Sequence, residues 1–212
     1  MVWSGMSRPP RQKPERGGAR ERLLEAARDT IRAKGFSATS VDELCAAAGV
    51  TKGAFFHHFA SKEALGIAAA AFWGQTTGAL FAAAPYHAPA DPLDRLRAYL
   101  DFRRQLIGGE IWEWTCLAGT MAEEVHETHP AIAEACGDAI FGHAATLEAD
   151  FAAALAARGL AEPSAASLAR HTQAVLQGAF VLAKAGGGPA AGFEAIDHLR
   201  RYIDLLFGEE SR

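Results

Sequence analysis

The sequence predicts an all-α fold of about nine helices, three in an amino-terminal head and about six in a body. Three observations carry this expectation. Apolar residues recur at helical spacing, as at Leu23, Ala27 and Ile31, and the two-residue alternation of a half-buried strand is absent throughout. Glycine and proline punctuate the chain at intervals that suit helices. Half of the 212 residues are apolar, enough to bury a substantial core.

Residues 1–18 are rich in proline, glycine and basic side chains with almost nothing to bury, and are expected to form a disordered basic arm. The first helix is expected over Arg20 to Lys34, ended by Gly35, with Phe36 plugging the small core behind it. Ser40 and Glu43 have the spacing of a capping box and start a short second helix that ends at Gly49. Thr51 can cap a third, in which Phe55 and Phe59 are spaced i, i+4 to face inward. From Ser61 the chain reads helical through Ala84, then breaks at Pro85 to Ala90. Asp91 before Pro92 is a strong helix start. Further helices are expected to end at Gly108 and Gly109, to cover Ile111 to Val125, and to run from Pro130 to about Arg158. The last two span Ser164 to Lys184 and Phe193 to Phe207, separated by Gly186-Gly187-Gly188-Pro189.

Two short helices joined by a tight glycine turn form a helix-turn-helix, whose second helix enters the major groove. The run Thr39 to Gly49, then Val50-Thr51-Lys52-Gly53-Ala54-Phe55-Phe56-His57-His58-Phe59 and Ser61-Lys62-Glu63-Ala64-Leu65, resembles the TetR family of transcriptional regulators. The resemblance is dense over residues 20 to 65 and looser beyond. It implies a homodimeric, ligand-responsive regulator of the TetR/AcrR kind. Residues 19–65 are then the DNA-binding domain and residues 66–212 the ligand-binding and dimerisation domain. A repressor released from a palindromic operator by a small molecule is the leading expectation. A ligand-dependent activator, or a ligand-binding helical protein without DNA function, is the alternative.

By the same resemblance, Thr51, Lys52 and Gly53 open the recognition helix, where free backbone N–H groups make an anion site. Lys52 can contact phosphate or a guanine edge. Ala54, Phe56, His57 and His58 are left for the outward faces. Where the family commonly has Tyr-x-His-Phe, this chain has Phe56 in place of the tyrosine, which removes a phenol-to-phosphate hydrogen bond and leaves apolar contact. Ser40 is a candidate phosphate contact from the preceding helix. Lys62 matches a family lysine that resembles a clamp on the DNA backbone.

Charge supports this orientation. Residues 1–62 carry 11 Lys and Arg against 6 Asp and Glu, net +5, while residues 63–212 carry 10 against 19, net −9. A basic head attracts phosphate and an acidic remainder is repelled from the duplex. Ordinary surface variation is the plainer explanation of the same counts.

In the body, Trp73, Phe102, Trp112, Trp114, Cys116, Met121, His126, Phe141, His143 and Gln177 are candidate ligand-binding residues. They are large or polar side chains inside alanine-rich helices, although each is individually also a plausible core residue. No Lys or Arg occurs from Gln105 to Ala157, whereas nine carboxylates do, so a neutral or cationic inducer is expected. The alternative is that these carboxylates cover a solvated face. By the family resemblance, the last two long helices are expected to pair with those of a second subunit through Leu176, Phe180, Leu199, Ile203 and Leu206, with an intramolecular core as the alternative.

Three cysteines without CxxC spacing argue against a disulfide scaffold and a zinc site. Cys116 has no positive charge close in sequence, so a buried structural thiol is preferred over a redox sensor. Adjacent His57 and His58 point about 100° apart on a helix and do not suggest a metal pair. His126 and His129 lack a third ligand at motif spacing, so neither an enzyme nor a metal or other cofactor is expected. The absence of an 18-residue apolar run and of a signal peptide core gives the expectation of a cytoplasmic protein with no membrane partner.

Overall fold

In a computed structural model, residues 18–208 are described, and their secondary structure is helical. The expected arm therefore lies, apart from Gly18, outside the described residues.

The head contains α1 (Ala19–Lys34), α2 (Val41–Ala48) and α3 (Lys52–His58). Leu23, Leu24, Ala27 and Ile31 of α1 are buried, as the apolar stripe predicts. Gly35 ends α1 at φ 92°, and its N–H donates to the Ile31 carbonyl at 2.8 Å. A side chain at this position would face two obstacles. The backbone is in the region that favours glycine, and a Cβ would lie 3.0 Å from Glu124 Oε2. The capping box of α2 is present in full: the Glu43 N–H donates to Ser40 Oγ, and the Ser40 N–H donates to Glu43 Oε2 at 2.9 Å. Thr51 Oγ1 caps α3 by accepting from the Ala54 N–H at 3.1 Å.

The long helix α4 (Lys62–Ala82), capped by Ser61, leads out of the head. After a 3₁₀ turn at Pro85–His87, α5 (Pro92–Gln105) starts where Asp91 Oδ1 accepts from the Leu93 N–H at 2.7 Å. Next come α6 (Ile111–Trp114), α7 (Leu117–Val125), α8 (Pro130–Ala145) and α9 (Glu148–Ala157). The chain closes with α10 (Ala165–Leu182) and α11 (Gly188–Leu206), joined through a π-helical turn at Ala183–Gly187.

The fold class is as expected, with three differences in the elements. The helix expected over Ile111 to Val125 is broken at Thr115 and Cys116, both extended, where Cys116 Sγ caps α7 by accepting from the Gly119 N–H. The helix expected from Pro130 to Arg158 is divided at Thr146 and Leu147, where Thr146 Oγ1 donates to the His143 carbonyl at 2.7 Å. The last helix begins at Gly188 rather than Phe193, because proline is tolerated in a first helical turn.

Two buried clusters make up the core. The first joins Leu23, Leu44, Phe55 and Leu65 to Leu117, Met121, Val125, Ile132 and Cys136, so α7 and α8 complete the core under the head. The second lies among α5, α9, α10 and α11 around Tyr99, Phe151, Leu176, Leu199 and Ile203. Among the described residues no helix is long and apolar enough to cross a membrane.

Candidate nucleic-acid interface and ligand cavity

The head presents α3 outward. Phe55 and Phe59 are buried, which fixes the roll of this short helix and leaves Thr51, Lys52, Gly53, Phe56 and His57 exposed, with Ala54 and His58 half-buried. Phe56 is 53% exposed, an unusual solvation for so large an apolar ring and one suited to apolar contact with a partner. The His57 and His58 rings meet edge to face at 4.9 Å. Lys52 pairs with Asp42 at 2.8 Å, and that hydrogen-bonded carboxylate raises the lysine's pKa. Ser40 is exposed beside this surface, and its hydroxyl is engaged with Glu43.

Lys62, the residue expected to clamp the DNA backbone, is engaged within the head. Its ammonium donates to the carbonyls of Phe36 and Thr39 at 3.0 and 2.9 Å, with a longer contact to Ser37 at 3.4 Å. It also sits 4.4 Å above the Phe36 ring. An ammonium has three donors, and here they tie down the turn between α1 and α2.

Of the net +5 on residues 1–62, only part lies on described residues. From Gly18 to Lys62 there are seven basic and five acidic side chains, net +2. The remaining excess falls on residues 1–17, outside the described residues.

Besides the shared core, polar contacts of Glu124 and Arg32 tie head and body. Glu124 of α7 accepts the N–H groups of Phe36 at 2.5 Å and Ser37 at 2.8 Å, just past the end of α1. Arg32 of α1 is buried, donates through Nη1 to the Glu113 carbonyl at 2.9 Å, and lies 5.0 Å from the Trp73 ring and 5.6 Å from the Trp112 ring. Desolvation lowers the Arg32 pKa, against the opposing pull of Asp29.

Where the two cores meet, a cavity of about 50 Å³ opens between α4, α5, α8 and α10. Trp73, Trp114, Cys116, His143 and Gln177, five of the ten expected ligand residues, line it. The other five do not. Met121 is fully buried in the first core, because α7 turns that face toward the head. Phe102 packs edge to face on Phe81 at 5.2 Å, and Trp112 lines a separate open groove beside Arg32. His126 is exposed next to Glu127, and Phe141 is 62% exposed.

The sequence reading missed Arg103, Gln173, Thr77, Phe81, Ile140 and Phe180 in the wall. Arg103 undoes the argument for a neutral or cationic ligand. It lies just before the stretch without Lys or Arg, and α5 turns it into the cavity. Tyr99 organises this side: its oxygen accepts from Arg103 Nε at 2.8 Å and from Gln173 Nε2 at 3.4 Å. The phenol proton is then directed at His143 Nε2, 3.0 Å away. Burial, assisted by the Arg103 charge, lowers the His143 pKa to about 3, so this nitrogen is free to accept. Trp114 is 9% exposed, and its Nε1–H has no acceptor on the protein. Leaving such a donor unpaired costs about 1–3 kcal/mol.

A sequence profile described as "Bacterial regulatory proteins, tetR family" matches residues 23–69. A second, "Transcriptional regulator LmrA/YxaF-like, C-terminal domain", matches residues 92–190. The chain belongs to the TetR family of transcriptional regulators. It is 29% identical over 116 residues to the transcriptional regulator AcuR of Cereibacter sphaeroides, a match covering 55% of this chain and 53% of that one. The chain thus aligns with only about half the length of that relative. A TetR-family regulator from Agrobacterium tumefaciens has the same fold, with a TM-score of 0.76 at 22% identity over 87% of this chain and 97% of that one. A TetR regulator from Chloroflexus aurantiacus gives 0.74 at 27% identity, over 87% and 93% of the two chains.

In this TetR-family chain, the residues expected at a dimer interface are placed differently. Leu176, Leu199 and Ile203 are each 2% exposed, buried within their own subunit. Phe180 packs on Trp114 at 5.9 Å and lines the cavity, and Leu206 is half-buried against the second core. α10 and α11 are apolar on more than one face, and the subunit's own core takes the face that was expected to meet a partner. The exposed large apolar residues on these helices are Val181, Leu182, Tyr202 and Leu205.

Cys116 is half-buried in the cavity wall, and folding brings Arg32 and Lys184 within electrostatic reach of it, which local sequence did not show. Cys136 is fully buried, and burial raises its pKa to about 12. Among the described residues no group of three or more His, Cys, Asp or Glu is arranged to hold a metal ion. His129 instead starts α8 and bonds Thr128 Oγ1 at 2.9 Å.

Proposed function

We propose that this chain is a homodimeric, sequence-specific repressor acting in the cytoplasm, released from a palindromic operator by a small ligand held in the body. Residues 19–65 form the DNA-reading unit and residues 66–212 the ligand-binding and dimerisation unit. Each α3 reads one half-site through Lys52, Gly53, Ala54, Phe56, His57 and His58, with Thr51 at its amino terminus. No catalytic or cofactor role is assigned to any residue.

The observation that carries the ligand-release reading is the pair of ties between cavity and head. Trp73 and Trp114 line the cavity. Trp73 stacks on Arg32, and the neighbour of Trp114, Glu113, accepts from it. A ligand that moves α4 or α6 therefore acts on α1, and through the shared core on the position of α3. Such a ligand shifts the population toward the non-binding dimer only by as much as it prefers that state.

The test is selection of bound fragments from the source genome by purified dimer at two salt concentrations. One enriched palindrome, with affinity falling steeply as salt rises, is the expected result. No enrichment over background would remove the DNA-reading assignment for the unliganded protein.

A further inference from the structure

The cavity holds one cation and no counter-charge. Among the described residues Arg103 makes no ion pair: its Nε is held by Tyr99, and its guanidinium lies 4.4 Å from the Phe81 ring and 5.3 Å from the Tyr99 ring. These contacts fix the plane of the fork while leaving its Nη donors without a protein acceptor. A second and independent signal is Trp114, nine-tenths buried in the same wall with an unpaired indole N–H. Gln177 adds an amide to this wall. Trp73, Phe81, Ala139, Ile140 and Phe180 give the wall its apolar surface, beside the uncharged polar groups of Thr77, Cys116, His143 and Gln173.

We propose that the cavity binds a small carboxylic acid as its anion, with the carboxylate on Arg103 and the Trp114 N–H and a short hydrocarbon tail among the apolar side chains. This rests on the reading of the body as a ligand-binding unit and names the class of ligand. A planar guanidinium matches a carboxylate in shape and charge. His143 supports the choice because it is neutral and adds neither attraction nor repulsion. Volume limits the size. A single water needs roughly 10–15 Å³ by this kind of measure, so a cavity of about 50 Å³ suits a carboxylate with a few carbons rather than a large ring system.

The test is calorimetric titration of the full-length protein with butyrate, butyramide and butylamine, molecules of similar length and different charge. Butyrate is expected to bind about tenfold or more tightly than butyramide, with no binding of butylamine, because hydrogen bonds to an ionised acceptor are the stronger ones. Arg103→Gln should abolish the preference for butyrate over butyramide. Arg103 also contacts Tyr99, so Trp114→Phe provides a variant that keeps the ring packing and loses only the N–H. It should weaken butyrate by about threefold to tenfold. Circular dichroism confirms that each variant is folded. Equal affinity for acid and amide, preference for the amine, or no binding of any of the three overturns the proposal. Operator binding with and without butyrate separates the two readings. Selective butyrate binding that leaves operator affinity unchanged keeps the site and defeats ligand release. Operator binding by a protein that ignores butyrate defeats the site alone.

Discussion

At the scale of single residues, Lys62 and His143 show how a group's partners decide its role. Lys62 sits at the start of α4, and its donors are spent on the turn after α1. Lys62→Met should therefore lower stability by about 1–3 kcal/mol, the cost of carbonyls left without donors, in urea unfolding. It should leave the salt dependence of operator binding unchanged. Loss of a phosphate contact would instead reduce that slope by about one. His143 makes a pH-dependent contribution of determinable sign. Its pKa is about 3 in the folded chain and about 6.5 when unfolded. Between these values the unfolded state binds a proton that the folded state refuses. The stability present above pH 6.5 is thus lost as pH falls toward 3, by up to about 1.4 kcal/mol per unit. His143→Gln should flatten the fall of the urea midpoint between pH 7 and 4.5, and an unchanged slope would show that His143 takes up a proton without unfolding.

At the scale of elements, what was legible in the sequence was what is encoded locally. Ser40 with Glu43, Thr51, Ser61, Asp91 and Ser164 each start a helix through their own side chains, and Gly35 and Gly49 end helices in their own backbone geometry. The joint between α6 and α7 was not legible. Nothing in Trp114-Thr115-Cys116 forbids a helix, and the break accompanies burial of Trp114 and Thr115 and capping by the Cys116 sulfur. Arg103 was missed for a related reason: nothing in Phe102-Arg103-Arg104-Gln105 marks one arginine as half-buried, and it is contacts with Tyr99 and Phe81, made only in the fold, that hold it inward. The most consequential element is α7, which lends one face to the head's core and Glu124 to the end of α1. Glu124→Gln replaces one acceptor oxygen by an NH₂ group that cannot accept from the Phe36 and Ser37 amides. With the site largely open to solvent, the loss should be about 1 kcal/mol. Amide hydrogen exchange at Phe36 and Ser37 should then quicken about fivefold. If exchange there is unchanged, α7 does not hold the head through Glu124.

At the scale of the whole molecule, the pattern of burial separates what one subunit keeps for itself from what it leaves available. A palindromic operator needs two recognition helices about 34 Å apart, and one chain supplies only one α3. In the proposed dimer, the second copy is held by a surface that is apolar and still open. On the closing helices, Val181, Leu182, Tyr202 and Leu205 meet that requirement, whereas Leu199, 2% exposed, does not. The two kinds of leucine make opposite predictions. Leu199→Ala should destabilise the chain by about 2–5 kcal/mol, as truncations in a core do, wherever the dimer forms. Leu205 is 67% exposed, so Leu205→Glu should spare the fold of the subunit while placing a charge in a dry interface, which is costly when unpaired. Sedimentation of Leu205→Glu should show monomer at concentrations where the parent is a dimer. Operator affinity should fall with it, because a monomer engages one half-site at a time and loses the effective concentration supplied by its partner. A Leu205→Glu protein that remains dimeric and binds the operator as the parent does would move the interface off this face of α11.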